Sequence, residues 1–95
     1  MAIQFVGGRT QTSNTNSPAT FAVSLTLLTG GIATFPSPGD LVLIAYSEGS
    51  TTDLALSGKV TTAGFSLVSE LYANDTYDMN MAVFSKVMGA SPGAD

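Results

Sequence analysis

The stretch Leu41-Val42-Leu43-Ile44-Ala45-Tyr46 decides the fold. It is entered through Ser37-Pro38-Gly39-Asp40 and left through Ser47-Glu48-Gly49-Ser50, so it is an apolar run bounded by turn residues at both ends. A run this short, flanked in this way, reads as a strand buried on both faces, around which the remaining chain packs. In the entering turn Pro38 presets φ at the second position and Gly39 accepts positive φ at the third, which is the chemistry of a type II turn.

Working outward, Phe21, Val23, Leu25 and Leu27 alternate with Thr20, Ala22, Ser24 and Thr26 and predict a half-buried strand. A helix over the same residues is disfavoured by the Ser and Thr content and by Gly30-Gly31. Ala2 to Val6 reads as a short first strand ending at Gly7-Gly8, and Arg9 to Pro18 as a polar loop. Pro36 confines any pairing near it to an edge. Leu54 to Val60 offers a weak strand broken by Gly58. Phe65 to Tyr72 predicts a strand with Phe65, Leu67 and Leu71 on one face, interrupted at Ser69. Met79 to Met88 predicts a long strand, with Met79, Met81, Val83 and Val87 on one face and Asn80, Ala82, Phe84, Lys86 and Met88 on the other. Because both of its faces are partly apolar, it is expected to be interior or covered by another subunit.

Ninety-five residues with 44% apolar content fit one domain, 1–95, with a modest core. Twelve threonines, eleven serines and ten glycines favour an all-β chain with many turns, namely an antiparallel β-sandwich. A net charge of −4 with Arg9, Lys59 and Lys86 as its cations argues against nucleic acid as a partner. No stretch is long and apolar enough to span a bilayer, and Met1 to Phe5 lacks the features of a signal peptide. A soluble protein made without Sec export, and without membrane insertion, is therefore expected.

Without histidine or cysteine the chain lacks the usual general base, the partner of a Ser or Cys nucleophile and the zinc ligands of Cys/His sites. No catalytic residue, no cofactor and no metal is therefore expected, and the chain reads as a non-enzyme. Glu48 and Glu70 are a conceivable glycosidase acid and base, weighed against two ordinary surface acids. Ser57 and Lys59 suggest a Ser-Lys pair or an exposed loop. Asn74, Asp75, Asp78 and Asn80 carry oxygen ligands of the kind calcium takes, without the order of an EF-hand loop, and equally suit Asx-turns between two strands. Of Tyr46, Tyr72 and Tyr77, the last sits in that turn cluster. With Asn74, Asp75 and Asp78 it forms the candidate surface for recognition, since a tyrosine ring offers contact area at little entropic cost.

Several segments together resemble a group of small β-sandwich virion proteins of tailed bacteriophages. They are the Met-Ala-Ile-Gln-Phe-Val-Gly start, the Ser/Thr/Asn loop, Pro38-Gly39-Asp40-Leu41-Val42-Leu43-Ile44-Ala45-Tyr46, Gly64-Phe65-Ser66-Leu67 and Met81-Ala82-Val83-Phe84-Ser85-Lys86-Val87. The resemblance implies a jelly-roll-like or Ig-like sandwich located in the virion, as a head decoration or spike, or as a tail fibre or tail-tip component. The implied partners are other virion proteins, copies of the same chain and a host surface glycan. Similar chains continue past the Lys-Val segment into further strands, so the resemblance implies either that 1–95 is the N-terminal part of a longer chain or that neighbours complete the sandwich. The competing reading is a soluble carbohydrate-binding β-sandwich module. Five expected strands fall short of the roughly seven or eight of a closed sandwich, which predicts an oligomer or docked subunit with Met79 to Met88 covered by its partner.

Overall fold

The computed structural model describes residues 3–12, 22–50, 55–72 and 78–91. The described residues contain strands and no helix. Strands β1 (Leu41–Ser50), β2 (Ser66–Tyr72) and β3 (Asp78–Val87) form one antiparallel sheet in the order β1-β3-β2. The all-β expectation is met at this level.

The turn into β1 forms as its residues require. Gly39 has φ +85°, and the Asp40 amide donates to the Ser37 carbonyl at 3.1 Å. The Asp40 carboxylate in turn accepts from the Ser37 amide at 2.7 Å. The far end of β3 is tied to this turn, because Gly39 N donates to the Met88 carbonyl and Met88 N to the Asp40 carbonyl, each at 2.8 Å. The turn thus sets where β1 begins and which residue of β3 lies beside it.

Leu41 pairs with Val87 and Ser50 with Asp78, without a break between them. This register divides the sheet cleanly. Ile44, Tyr46 and Glu48 of β1 share a face with Phe84, Ala82 and Asn80 of β3. Against that face pack Leu56, Val23, Val60 and Phe65, making a core around Ile44, Leu56, Ala82 and Phe84. The opposite face carries Leu41, Leu43 and Ala45 opposite Val87, Ser85 and Val83, and it lies open to solvent along β1.

One expectation about strand position is corrected. Leu41 to Tyr46 lies in an edge strand with one buried face, because β3 intervenes between it and β2. Its apolar residues are continuous because one set meets the core while the other is bare. The interior position expected for Met79 to Met88 is met within the sheet, because β3 lies between β1 and β2, paired along its length with β1 and over Asn80 to Ser85 with β2. Its two faces divide the residues as the alternation predicts.

In β2 a bulge between Leu67 and Ser69 resets the alternation. Leu67 pairs with Phe84, whereas Leu71 pairs with Met81, so the two leucines stand on opposite faces. The single apolar face expected for Phe65 to Tyr72 is split at this point, and Phe65 lies before the strand.

The two N-terminal strands are also corrected. Among the described residues, 3–12 holds an isolated bridge between Gly8 and Thr29 in place of a strand, while Ala2 lies outside them. Ala22 to Leu27 is irregular, and Thr20 and Phe21 lie outside the described residues. The Ser24 hydroxyl accepts from the Thr26 amide at 3.4 Å and shares a 2.9 Å hydrogen bond with the Thr26 hydroxyl. Leu27 then takes φ +59°, which ends the alternation. Local hydroxyl bonding has displaced ladder bonding here, as it does in short Ser/Thr-rich segments.

Candidate functional site

The sheet has two contrasting surfaces, the polar end of its packed face and the whole of its bare face. On the packed face the loop 55–60 is drawn over the sheet by two carboxylates. Glu70 of β2 accepts the Leu56 amide at 2.8 Å, and Glu48 of β1 accepts from Lys59 Nζ at 3.4 Å. Between these anchors the Lys59 amide closes a turn onto the Leu56 carbonyl at 3.0 Å. The Leu56 side chain is driven fully into the core, with 0% of it exposed.

Tyr46 completes the cluster by donating its hydroxyl to the other oxygen of Glu48 at 2.8 Å. Burial, then the hydrogen bond to Glu48 and then the charge of that carboxylate push the Tyr46 pKa up to about 12. The phenol therefore stays protonated and remains a donor at any physiological pH. Asn80, opposite Glu48 in the register, is fully buried and has a bonded partner.

This geometry answers the questions raised by the polar residues. Glu48 and Glu70 share the packed face, but they sit on strands separated by β3, and each is engaged in holding the loop. Lys59 faces Glu48, while Ser57 is exposed on the turn. Asn80 belongs to the sheet interior and is not part of a surface turn. Among the described residues no cluster of His, Cys, Asp or Glu is arranged to hold a metal ion. Asn74, Asp75 and Tyr77 lie outside the described residues, and of Asp78 the structure describes only its backbone at the start of β3.

The remaining cover over the packed face is also fixed by side chains. Thr62 Oγ1 accepts the Val23 amide at 2.9 Å and donates to the Val23 carbonyl at 3.0 Å, mimicking one rung of a ladder. Gln11 Oε1 accepts the Ser24 amide at 2.7 Å. Lys86 reaches the Ala63 carbonyl at 2.9 Å while its ammonium lies 5.8 Å from the centre of the Phe65 ring. A substituent at Gly64 would crowd this lysine stem.

The other face has a different character. Leu41, Leu43 and Ala45 of β1, Met79, Met81, Val83 and Val87 of β3, and Leu71 of β2 lie on it, interspersed with Ser47, Ser66, Ser69 and Ser85. A depression across β3, between β1 and β2 to either side, is lined by Ala45, Ser69, Leu71, Met81, Ala82 and Val83. Among the described residues none on this face is charged. The pattern of Met79 to Met88 signals such a face in the sequence, but its extension across β1 and β2 depends on pairings that the sequence does not display.

No protein-family model matches the chain, and no curated protein or solved structure matches it either. The functional reading therefore rests on the residues themselves.

Proposed function

We propose that the chain is a structural component of a tailed-phage virion, exposed on the particle as a head decoration or spike or as part of a tail fibre or tail tip, where it assists attachment to the host surface. In this reading its sheet is one layer of an antiparallel β-sandwich of jelly-roll-like or Ig-like type. Other virion proteins and copies of the same chain are its neighbours, and a host glycan is the ligand of the attachment role.

The observation that supports an assembly role is the bare sheet face. An apolar, uncharged surface spanning three strands is what a part built to be covered presents, and isolated soluble domains seldom leave such a patch exposed. The polar residues on the other face contribute to the same reading, because Glu48, Glu70 and Tyr46 are committed to holding a loop. The carbohydrate-module alternative rests on Tyr77, Asn74, Asp75 and Asp78, and the Tyr46 hydroxyl, turned into the Glu48 cluster, adds nothing to it.

The test is to purify particles of a phage whose genome encodes the chain, quantify it by mass spectrometry and locate it by antibody labelling. Copies in stoichiometric amounts on the particle surface are expected. Recovery only from the soluble fraction, with selective glycan binding by the free monomer, would favour the carbohydrate module.

A further inference from the structure

We infer that the bare face of the sheet docks against the same face of a second copy of this chain, so that two three-stranded sheets stack as the two layers of one sandwich. The inference deepens the proposed assembly role by naming the partner. Its physical basis is the face alone, and it stands apart from where the chain is finally placed.

Charge is the first argument. The chain carries −4 overall, yet the described residues of this face include no Asp, Glu, Lys or Arg. Two copies can therefore approach along it without setting like charges against each other and without removing an ion from water, which would cost several kcal/mol per unpaired charge. A partner recognised through charge would find nothing complementary here. An isologous pair needs a surface complementary to itself, and an apolar sheet dotted with serines meets that requirement, because each hydroxyl can both donate and accept.

Size is the second argument. Strands of 10, 7 and 10 residues, about 4.8 Å apart and rising about 3.4 Å per residue, outline roughly 14 Å by 30 Å. That is about 400 Å² in projection for each copy, and on the order of 1,000 Å² of accessible surface for the pair once side-chain relief is included. The area reaches the lower bound for a specific interface, so a dimer in the micromolar range is the expected strength. Stacked sheets lie about 10 Å apart with strands inclined near 30°, a spacing filled by leucine, valine and methionine side chains from both sides. Met79 and Met81 lie at one end of the face, where their flexible thioethers can follow the splay between two twisted sheets.

The experiment uses the absence of cysteine from the chain, which makes the thiol of an Ala45→Cys variant a unique probe at the middle of the face. Sedimentation of the 95-residue chain between about 1 and 100 µM should show mass rising towards twice 9.7 kDa. Over the same range the labelling rate of the introduced thiol should fall about fivefold, following the free-monomer fraction of a micromolar dimer. Leu43→Glu, at a position already open to solvent in the single chain, should abolish both effects while leaving the far-ultraviolet spectrum unchanged. A monomer at every concentration overturns the inference, as does a dimer whose thiol stays fully reactive. Thiol protection that does not vary with concentration overturns it too, since the cover then comes from within one chain. The concentration dependence of labelling is decisive even if Leu43→Glu folds poorly. None of these outcomes bears on particle localisation, which the labelling of purified phage tests separately.

Discussion

Leu43 and Ile44 are neighbours on β1 and face opposite ways, with 63% of the leucine exposed and 8% of the isoleucine. One peptide unit separates the core from the open surface. Mutation of the two residues should therefore give very different results.

Ile44→Ala removes atoms from between Leu56, Ala82 and Phe84 and should cost about 2 to 4 kcal/mol, because the irregular layer above cannot fully collapse into the space. Leu43→Ala should cost less than about 1 kcal/mol in solutions dilute enough to keep copies apart. Urea denaturation of both variants is the check. Equal losses would show that the face carrying Leu43 is covered within the single chain.

Glu70 holds the Leu56 amide, so Glu70→Ala leaves a buried donor without its acceptor and should destabilise by about 1 to 3 kcal/mol. Glu70→Gln keeps a carbonyl oxygen at the same reach and should recover most of that loss. Thermal melts of the pair separate the hydrogen bond from the charge. A glutamine variant as weak as the alanine one would assign the effect to charge.

Tyr46 has a folded pKa of about 12 against an ordinary value near 10. The raised value means that folding favours the protonated phenol, so this contribution to stability is complete below about pH 10 and is lost as pH rises through about 12. Ultraviolet titration should show phenol ionisation near pH 12, and Tyr46→Phe should reduce that late step by one phenol. A late component undiminished by the substitution would refute the assignment.

Gly39 and Gly49 both have open space where a Cβ would stand, but only Gly39 has a positive φ in the left-handed region. Gly39→Ala should therefore cost about 1 kcal/mol through backbone strain, while Gly49→Ala should be neutral or slightly stabilising. Chemical denaturation distinguishes the two. Similar behaviour at both sites would mean that the turn into β1 relaxes without its glycine.

Much of the sheet is legible from local chemistry. The turn at Ser37 to Asp40, the strand it opens and the two-sided alternation of Met79 to Met88 follow from residue type and spacing, because each is decided within a few positions. Strand order is not local. An apolar run such as Leu41 to Ala45 reads the same whether the strand is central and doubly covered or at an edge with one face bare, and only its neighbours decide. The interruption at Ser69 is legible as a lapse in the alternation, but that it is a bulge placing Leu67 and Leu71 on opposite faces is not, and the hydroxyl bonding at Ser24 and Thr26 escapes period counting altogether. The polar cluster is legible in the sequence only as separate residues. Glu48 and Glu70 are distant in sequence, and that both hold one loop emerges only once β3 has set their spacing.

The strand order also bears on how the chain reaches its native state. Five residues separate β2 from β3, so these two can zip together as a local pair, whereas β1 meets β3 only across roughly 30 to 45 positions. Closing the longer loop carries the larger entropic cost, which makes the β2–β3 pair the natural nucleus and β1 the late arrival. During synthesis the order is reversed. β1 leaves the ribosome before its partner strand, so this apolar segment must wait unpaired until β3 has been made.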